Sequence, residues 1–282
     1  MHGTSAMKML AAIANYGPFR FGCLDRMIEA LRRMPFRVDI VIHSDRPKAV
    51  PDGVTLVVGL PTEDPCSLPF AHKQLFAERQ VEYDVFLYSE DDHLITEGNV
   101  TAFLEVTEVL PDSEIAGLFQ YEIDGEGNRY YPAAHSPFDW VPGSVRIWGK
   151  YTFACFSNYH SACYLLTQRQ LAKAIRSGGY LVPPEVTWID LRVTAATDPY
   201  RQCGMTKRLC ISHLDRFLVH HIPNNYVGVI GTADAVFQEQ IRGLLHSAEI
   251  QESGVRRQGS GVRNQESGVS NQQSGVRKDL DS

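Results

Sequence analysis

At 282 residues with 44% hydrophobic side chains, the chain is long enough to bury one large α/β core or two closely fused halves, and one domain plus a tail is the expectation. A formal net charge of −6 with no Lys/Arg cluster excludes nucleic acid as the main partner. No apolar run approaches the roughly eighteen residues that cross a bilayer and MHGTSAMKML has no apolar signal core, so the sequence reads as cytoplasmic, with at most peripheral membrane contact.

Residues 1–7 are set aside as an expression remnant. From residue 8, short apolar strands alternate with amphipathic helices, the pattern of a sheet covered by helices. Met9 to Ala14 reads as the first strand. Cys23 to Met34 reads as a helix, because Leu24, Met27, Ile28 and Leu31 fall on one face with Asp25, Arg26, Arg32 and Arg33 between them. Val38 to His43 and Val54 to Val58 are the next strands, and Pro69 to Gln80 a helix with proline in its first turn. Val85 to Tyr88 is a buried strand running directly into Glu90-Asp91-Asp92.

Further along, Asn99 is placed as the cap of a helix reaching Leu110, and Ile115 to Tyr121 as one strand. Residues 124–150, rich in Gly, Pro and aromatics (Tyr130, Tyr131, Phe138, Trp140, Trp148), read as a long functional loop. Ala162 to Leu166 is a strand, Thr167 to Ser177 a helix, and Leu209 to His213 and Phe217 to His221 are apolar segments before a last helix, Ala233 to His246. From about Gln251 a Ser-Gly-Val unit recurs at Ser253, Ser260, Ser267 and Ser274. One Val per unit forms no apolar seam, so 250–282 are expected to be a disordered tail on a domain spanning 8–249. The six cysteines include no C-x-x-C pair and read as reduced thiols.

The chemistry concentrates at Glu90-Asp91-Asp92. Open α/β sheets bind ligands beyond the carboxyl ends of their strands, and three adjacent carboxylates repel one another unless a cation sits among them. Hard oxygen ligands suit Mg²⁺ or Mn²⁺, with a diphosphate completing the coordination. The plainer alternative is a solvated acidic turn or helix cap, against which the apolar run VFLY speaks.

The segment DVFLYSEDDHLIT resembles the D-x-D region of glycosyltransferases with the GT-A, or nucleotide-diphospho-sugar transferase, fold, and the likeness in element pattern extends over roughly residues 8 to 230. The motif here is E-D-D. The resemblance implies a Rossmann-type mixed sheet flanked by helices, with a donor half at about 8–122 and an acceptor half at about 123–249. It implies Mn²⁺ or Mg²⁺ held by Glu90, Asp92 and a histidine late in the domain, with Asp91 as a further ligand or facing the ribose. His220 and His221 point to opposite faces of a strand, so at most one of them serves the site; His221, at the strand end, is preferred, and His213 is a third candidate. Ala14, Asn15 and Tyr16 would lie beside the nucleotide, with His43 and Ser44 nearby and His72 and Lys73 reaching the diphosphate. The acceptor, a glycan, lipid-linked or small molecule, would meet the aromatic loop and Trp148 to Asn158, and Asp190 or Glu185 would be the base of an inverting mechanism. The implied function is transfer of a sugar from a nucleotide-diphosphate donor, UDP-sugar favoured. The alternatives are a non-catalytic sugar-nucleotide or glycan-binding protein on the same fold, and a nucleotidyltransferase, against which the lack of a glycine-rich, lysine-bearing phosphate loop near the N-terminus speaks.

Overall fold

The computed structural model describes residues 7–17, 21–132, 138–141 and 143–266. Five strands form the principal sheet: β1 (Lys8–Asn15), β2 (Arg37–Ser44), β3 (Val54–Val58), β4 (Val85–Glu90) and β11 (Cys163–Thr167), in the order β11-β4-β1-β2-β3. β1 pairs parallel with β2 and β4, β2 pairs parallel with β3, and β11 runs antiparallel to β4. The sheet is therefore mixed and helix-flanked, as expected.

The apolar runs explain these strands. Every residue of β1 after Lys8 is buried, as are Val85 to Ser89 of β4, so each Leu, Ile or Phe there contributes roughly 1.5–3 kcal/mol of burial. Helix α1 (Phe21–Arg32) buries Leu24, Met27, Ile28 and Leu31, the stripe read from the sequence, and contacts β2 and β5 (His93–Leu94). A 3₁₀ segment, Pro65–Phe70, leads into α2 (Ala71–Glu78). Pro69 therefore closes the 3₁₀ turn, and the predicted helix from Pro69 begins at Ala71. In α3 (Glu97–Thr107) the cap is Thr96, whose Oγ1 accepts from Asn99 N, while the Asn99 side chain accepts from Thr96 N. The predicted cap Asn99 is thus the third helical residue of a reciprocal capping box.

The single strand expected over Ile115 to Tyr121 is two, β6 (Glu114–Ala116) and β7 (Phe119–Ile123), in different sheets. The break falls at Gly117. A Cβ there would lie 2.5 Å from Cε of Lys207, whose stem crosses the glycine. The second sheet is completed by β9 (Arg146–Trp148), β10 (Tyr151–Ala154) and β12 (Thr206–Cys210), in the order β6-β12-β10-β9. The third has the order β14-β8-β7-β13-β5, with β8 (Arg129–Tyr131), β13 (Leu218–His221) and β14 (Thr232–Ala233).

The long loop predicted over 124–150 therefore contains a hairpin partner and a strand; its residues 133–137 and 142 lie outside the described residues. Tyr131 and Trp140 pack with Phe119, Phe156 and Phe237 in a second hydrophobic cluster instead of facing a ligand. Thr167 caps α4 (Gln168–Arg176), and Asp190 caps α5 (Leu191–Arg201). The last helix, α6 (Asp234–Glu266), runs past His246 into the repeat segment, and 267–282 lie outside the described residues.

Candidate functional site

β2 and β3 lie to one side of β1 and β4 to the other, so the chain reverses its direction across the sheet between β1 and β4. Crevices of this kind open at the carboxyl ends of the strands. Ala14 is in register with Glu90, which brings the polar ends Asn15-Tyr16 and Glu90-Asp91-Asp92 side by side. A cavity of about 610 Å³ opens there. Ala14, Tyr16 and the three acids lie on its inner wall, Pro65 to Pro69 and Arg192 on another, and His160, His221 and Tyr226 among the remainder.

The chain turns immediately after Glu90. Asp91 and Asp92 form the turn, and β5 leaves the principal sheet to pair antiparallel with β13, placing His93 directly opposite His221. Ile222 N donates to Asp92 O at 2.9 Å and continues that ladder by one bond. The two imidazoles stack at 4.9 Å between centroids. Asp92 lies between them, with Oδ1 2.7 Å from His93 Nδ1 and Oδ2 3.4 Å from His221 Nε2. One ligand atom from each of Asp92, His93 and His221 lies within 4.8 Å of the others, and all three residues are buried.

The other nitrogen of His221 is fixed from behind. His221 Nδ1 meets Oε1 of the fully buried Glu122 at 2.5 Å, while Glu122 Oε2 accepts from Tyr226 N at 2.8 Å. A carboxylate behind a histidine sets the ring's tautomer and orientation, the usual support of a metal-ligating imidazole. His220, on the opposite face of β13, stacks on Tyr121 and bonds Asn224 Oδ1 at 3.0 Å. His213 lies on a 3₁₀ segment against Tyr151 and Ser212, away from the cavity.

Glu90 is a correction to the predicted ligand set. It lines the cavity but is not in the Asp92, His93 and His221 group, because the turn begins one residue after it. Burial pushes its carboxyl above the ordinary range, and Oε1 has no hydrogen-bond partner among the described residues. Asp91 instead belongs to a buried network. Asn15 Nδ2 donates to Asp91 Oδ2, and Lys48 Nζ donates to the Asn15 carbonyl at 3.0 Å and to Asn15 Oδ1. Asp45 lies 3.8 Å from the same ammonium and accepts from Gly17 N at 2.9 Å. Burial lowers the Lys48 pKa, opposed by Asp45 and Asp91.

Four further positions are corrected. His72 is buried, stacked on Tyr88 at 4.0 Å and hydrogen-bonded to Tyr164; Lys73 is buried in an ion pair with Asp198 and lies 4.2 Å from the Phe70 ring centroid. Both are almost fully buried and neither lines the cavity. His43 and Ser44 end β2 one strand away from the crevice and do not line it. Burial depresses the His43 pKa to about 4, and Ser44 Oγ donates to Arg46 O at 2.8 Å.

The two candidate bases are also off the cavity. Asp190 Oδ1 accepts from Val193 N at 2.8 Å as the α5 cap, and Oδ2 pairs with Arg192 at 3.0 Å; Glu185 is exposed in the preceding loop. Trp148 packs on Phe153, so of Trp148 to Asn158 only Asn158 lines the cavity. The aromatic surfaces of the cavity are Tyr16 and Tyr226. His93, Glu122, Lys48 and Arg192 were missed from the sequence. His93 had a signal, being next to the acids; the other three are distant residues that only the fold brings in.

No protein-family model matches the chain, and no curated protein matches it significantly. Among solved structures, a 4-diphosphocytidyl-2C-methyl-D-erythritol synthase is similar at 12% identity and a TM-score of 0.41, covering 86% of this chain and 100% of that one. A CMP:2-keto-3-deoxy-manno-octonic acid synthetase complexed with CTP is similar at 13% identity and a TM-score of 0.42, covering 86% and 99%. Among the described residues no helix is long and apolar enough to cross a membrane.

Proposed function

We propose that this chain is a metal-dependent transferase acting on a nucleotide substrate bound at the crevice between β1 and β4, and that it transfers a sugar from a nucleotide-diphosphate donor. The observation that carries the reading is the convergence of Asp92, His93 and His221, with Glu122 behind His221, at the carboxyl end of β4. One carboxylate and two imidazoles are a mixed donor set that fits Mn²⁺ better than Mg²⁺, which demands oxygen ligands and keeps its waters. Such an ion, when bound, neutralises charge on a diphosphate leaving group.

The chain's own residues supply the rest of the arrangement. Asn15 and Asp91, held by Lys48, present hydrogen-bonding groups beside the crevice, where a ribose or base would be read. Tyr16, 52% exposed and on the cavity wall, offers a flat face for a base.

Nucleotidyl transfer is the second reading, since the same cluster would serve the α-phosphate of a nucleoside triphosphate. The two solved structures named above are a diphosphocytidyl synthase and a CMP synthetase by title, and at TM-scores of 0.41 and 0.42 they do not choose between the readings. The test follows the released product. With Mn²⁺ and a panel of UDP-, GDP- and CDP-sugars, release of a nucleoside diphosphate is expected, lost in Asp92→Ala and His221→Ala. Pyrophosphate released from a triphosphate selects nucleotidyl transfer, and donor binding without turnover selects a binding protein. Full turnover in EDTA overturns metal dependence.

A further inference from the structure

The cavity lining contributed by α5 carries a cationic side chain outside the Asp92, His93 and His221 group. Among the described residues lining the cavity, Arg192 is the one Lys or Arg, in a lining that includes Glu90, Asp91 and Asp92. Arg192 occupies the first turn of α5, just after the cap Asp190. This turn is rigidly seated: Phe70, Leu191 and Ala195 form a small buried cluster that ties α5 to the 3₁₀ segment Pro65–Phe70, with Cys66 packed against it. Arg192 thus shares the cavity lining with Pro65, Cys66, Leu68 and Pro69.

Among the described residues it donates to Asp190, through Nη2 at 3.0 Å, and 59% of the side chain stays exposed. A guanidinium has five N–H donors in a planar fork, and one Asp190 oxygen satisfies one of them. The other Asp190 oxygen accepts from the Val193 amide. An unfilled fork on the wall of a cavity is complementary to a planar or tetrahedral oxyanion, carboxylate or phosphate. We propose that Arg192 binds an anionic oxygen group of the substrate, so that the crevice holds negative charge at two places, at the metal cluster and at this fork. The inference rests on the nucleotide reading above and adds a second anchoring point to it.

Two sources of that anion are separable. In the first, the fork takes the diphosphate itself; in the second, it takes a carboxylate on the transferred sugar. Isothermal titration in Mn²⁺ with UDP, UDP-glucose and UDP-glucuronic acid, and with GDP and CDP as nucleotide controls, distinguishes them. Arg192→Gln is expected to weaken all phosphate ligands about tenfold in the first case, and only the glucuronic acid ligand about tenfold in the second. Arg192→Lys, which keeps charge but loses the fork, should fall between. Unchanged affinity for every ligand in Arg192→Gln, while Asp92→Ala abolishes binding, overturns the Arg192 assignment and leaves the nucleotide reading standing. A wild-type protein that binds none of these ligands overturns both.

Discussion

At the scale of single residues, the site is set by what lies behind each side chain. His221 is oriented by Glu122, whose carboxylate also holds the Tyr226 amide, so replacing it should disturb metal affinity without touching a ligand. Glu122→Gln is expected to weaken Mn²⁺ binding roughly 10- to 100-fold with little change in secondary structure, read by titration calorimetry and circular dichroism. Lys207 is a different buried group. Its ammonium donates to Ser161 Oγ at 2.6 Å and to the Tyr159 carbonyl at 3.1 Å, and burial depresses its pKa to about 7. Between pH 7 and the ordinary lysine value of 10.5, the unfolded chain holds a proton that the folded one lacks. Stability therefore rises with pH across that window, by a contribution on the order of 5 kcal/mol, and is flat below it. Urea midpoints at pH 7 and pH 9.5 should show this rise in the wild type and a smaller one in Lys207→Met.

These residues were legible to unequal degrees. Asp92 and His221 could be picked from sequence because Asp92 closely follows an apolar strand and His221 ends one, and alternation along β13 separates His221 from His220. Glu122 and Lys207 sit in ordinary-looking segments. Their significance depends on a β7 to β13 pairing and on Lys207 crossing Gly117, neither of which leaves a local pattern.

At the scale of elements, caps and turns decide which groups face the crevice. Asp190, expected as a base, spends one oxygen on the Val193 amide at the start of α5. Asp190→Ala should therefore cost about 1 kcal/mol in thermal or denaturant stability, while Asp190→Asn, which keeps an oxygen acceptor, costs a few tenths. Turnover lost equally in both variants would reinstate Asp190 as a proton acceptor, and turnover retained in Asp190→Asn assigns it to the cap. The start of α2 illustrates the same point from the other direction. His72 and Lys73, expected at the diphosphate, are instead buried, with Tyr164 and Asp198 as their partners. Lys73 then needs Asp198, 125 residues away, to neutralise it in the core.

At the scale of the whole molecule, two sheets and a loop share one site. The principal sheet supplies Ala14 and Glu90, the third sheet supplies His93 and His221, and the loop between β10 and β11 supplies Asn158, His160 and Ala162. That loop is tied to β4 by Glu90 N donating to Ala162 O at 2.9 Å and to β12 by Lys207. The third sheet is in turn held by α6, where Phe237 stacks on Tyr131 at 4.1 Å and on Phe119 at 5.1 Å. Phe237→Ala is expected to cost about 3–5 kcal/mol of stability and to lower Mn²⁺ affinity as well, since the same sheet carries His221. Loss of stability with Mn²⁺ affinity intact in the folded fraction would show that α6 supports the second core alone.

What the sequence determined by itself was the set of buried elements and the acids at one strand end. Apolar runs and helical periodicity are local and follow directly from which side chains avoid water. What only the tertiary structure decided was the composition of the site: His93 opposite His221, Glu122 behind it, Lys48 beneath Asn15 and Arg192 on the far wall, with His72, Lys73, His43 and Ser44 excluded. Those assignments depend on strand pairing and on turns between residues up to 128 apart in the chain, as for His93 and His221, and contacts at that distance are fixed by packing of the whole core and not by any segment's own preference.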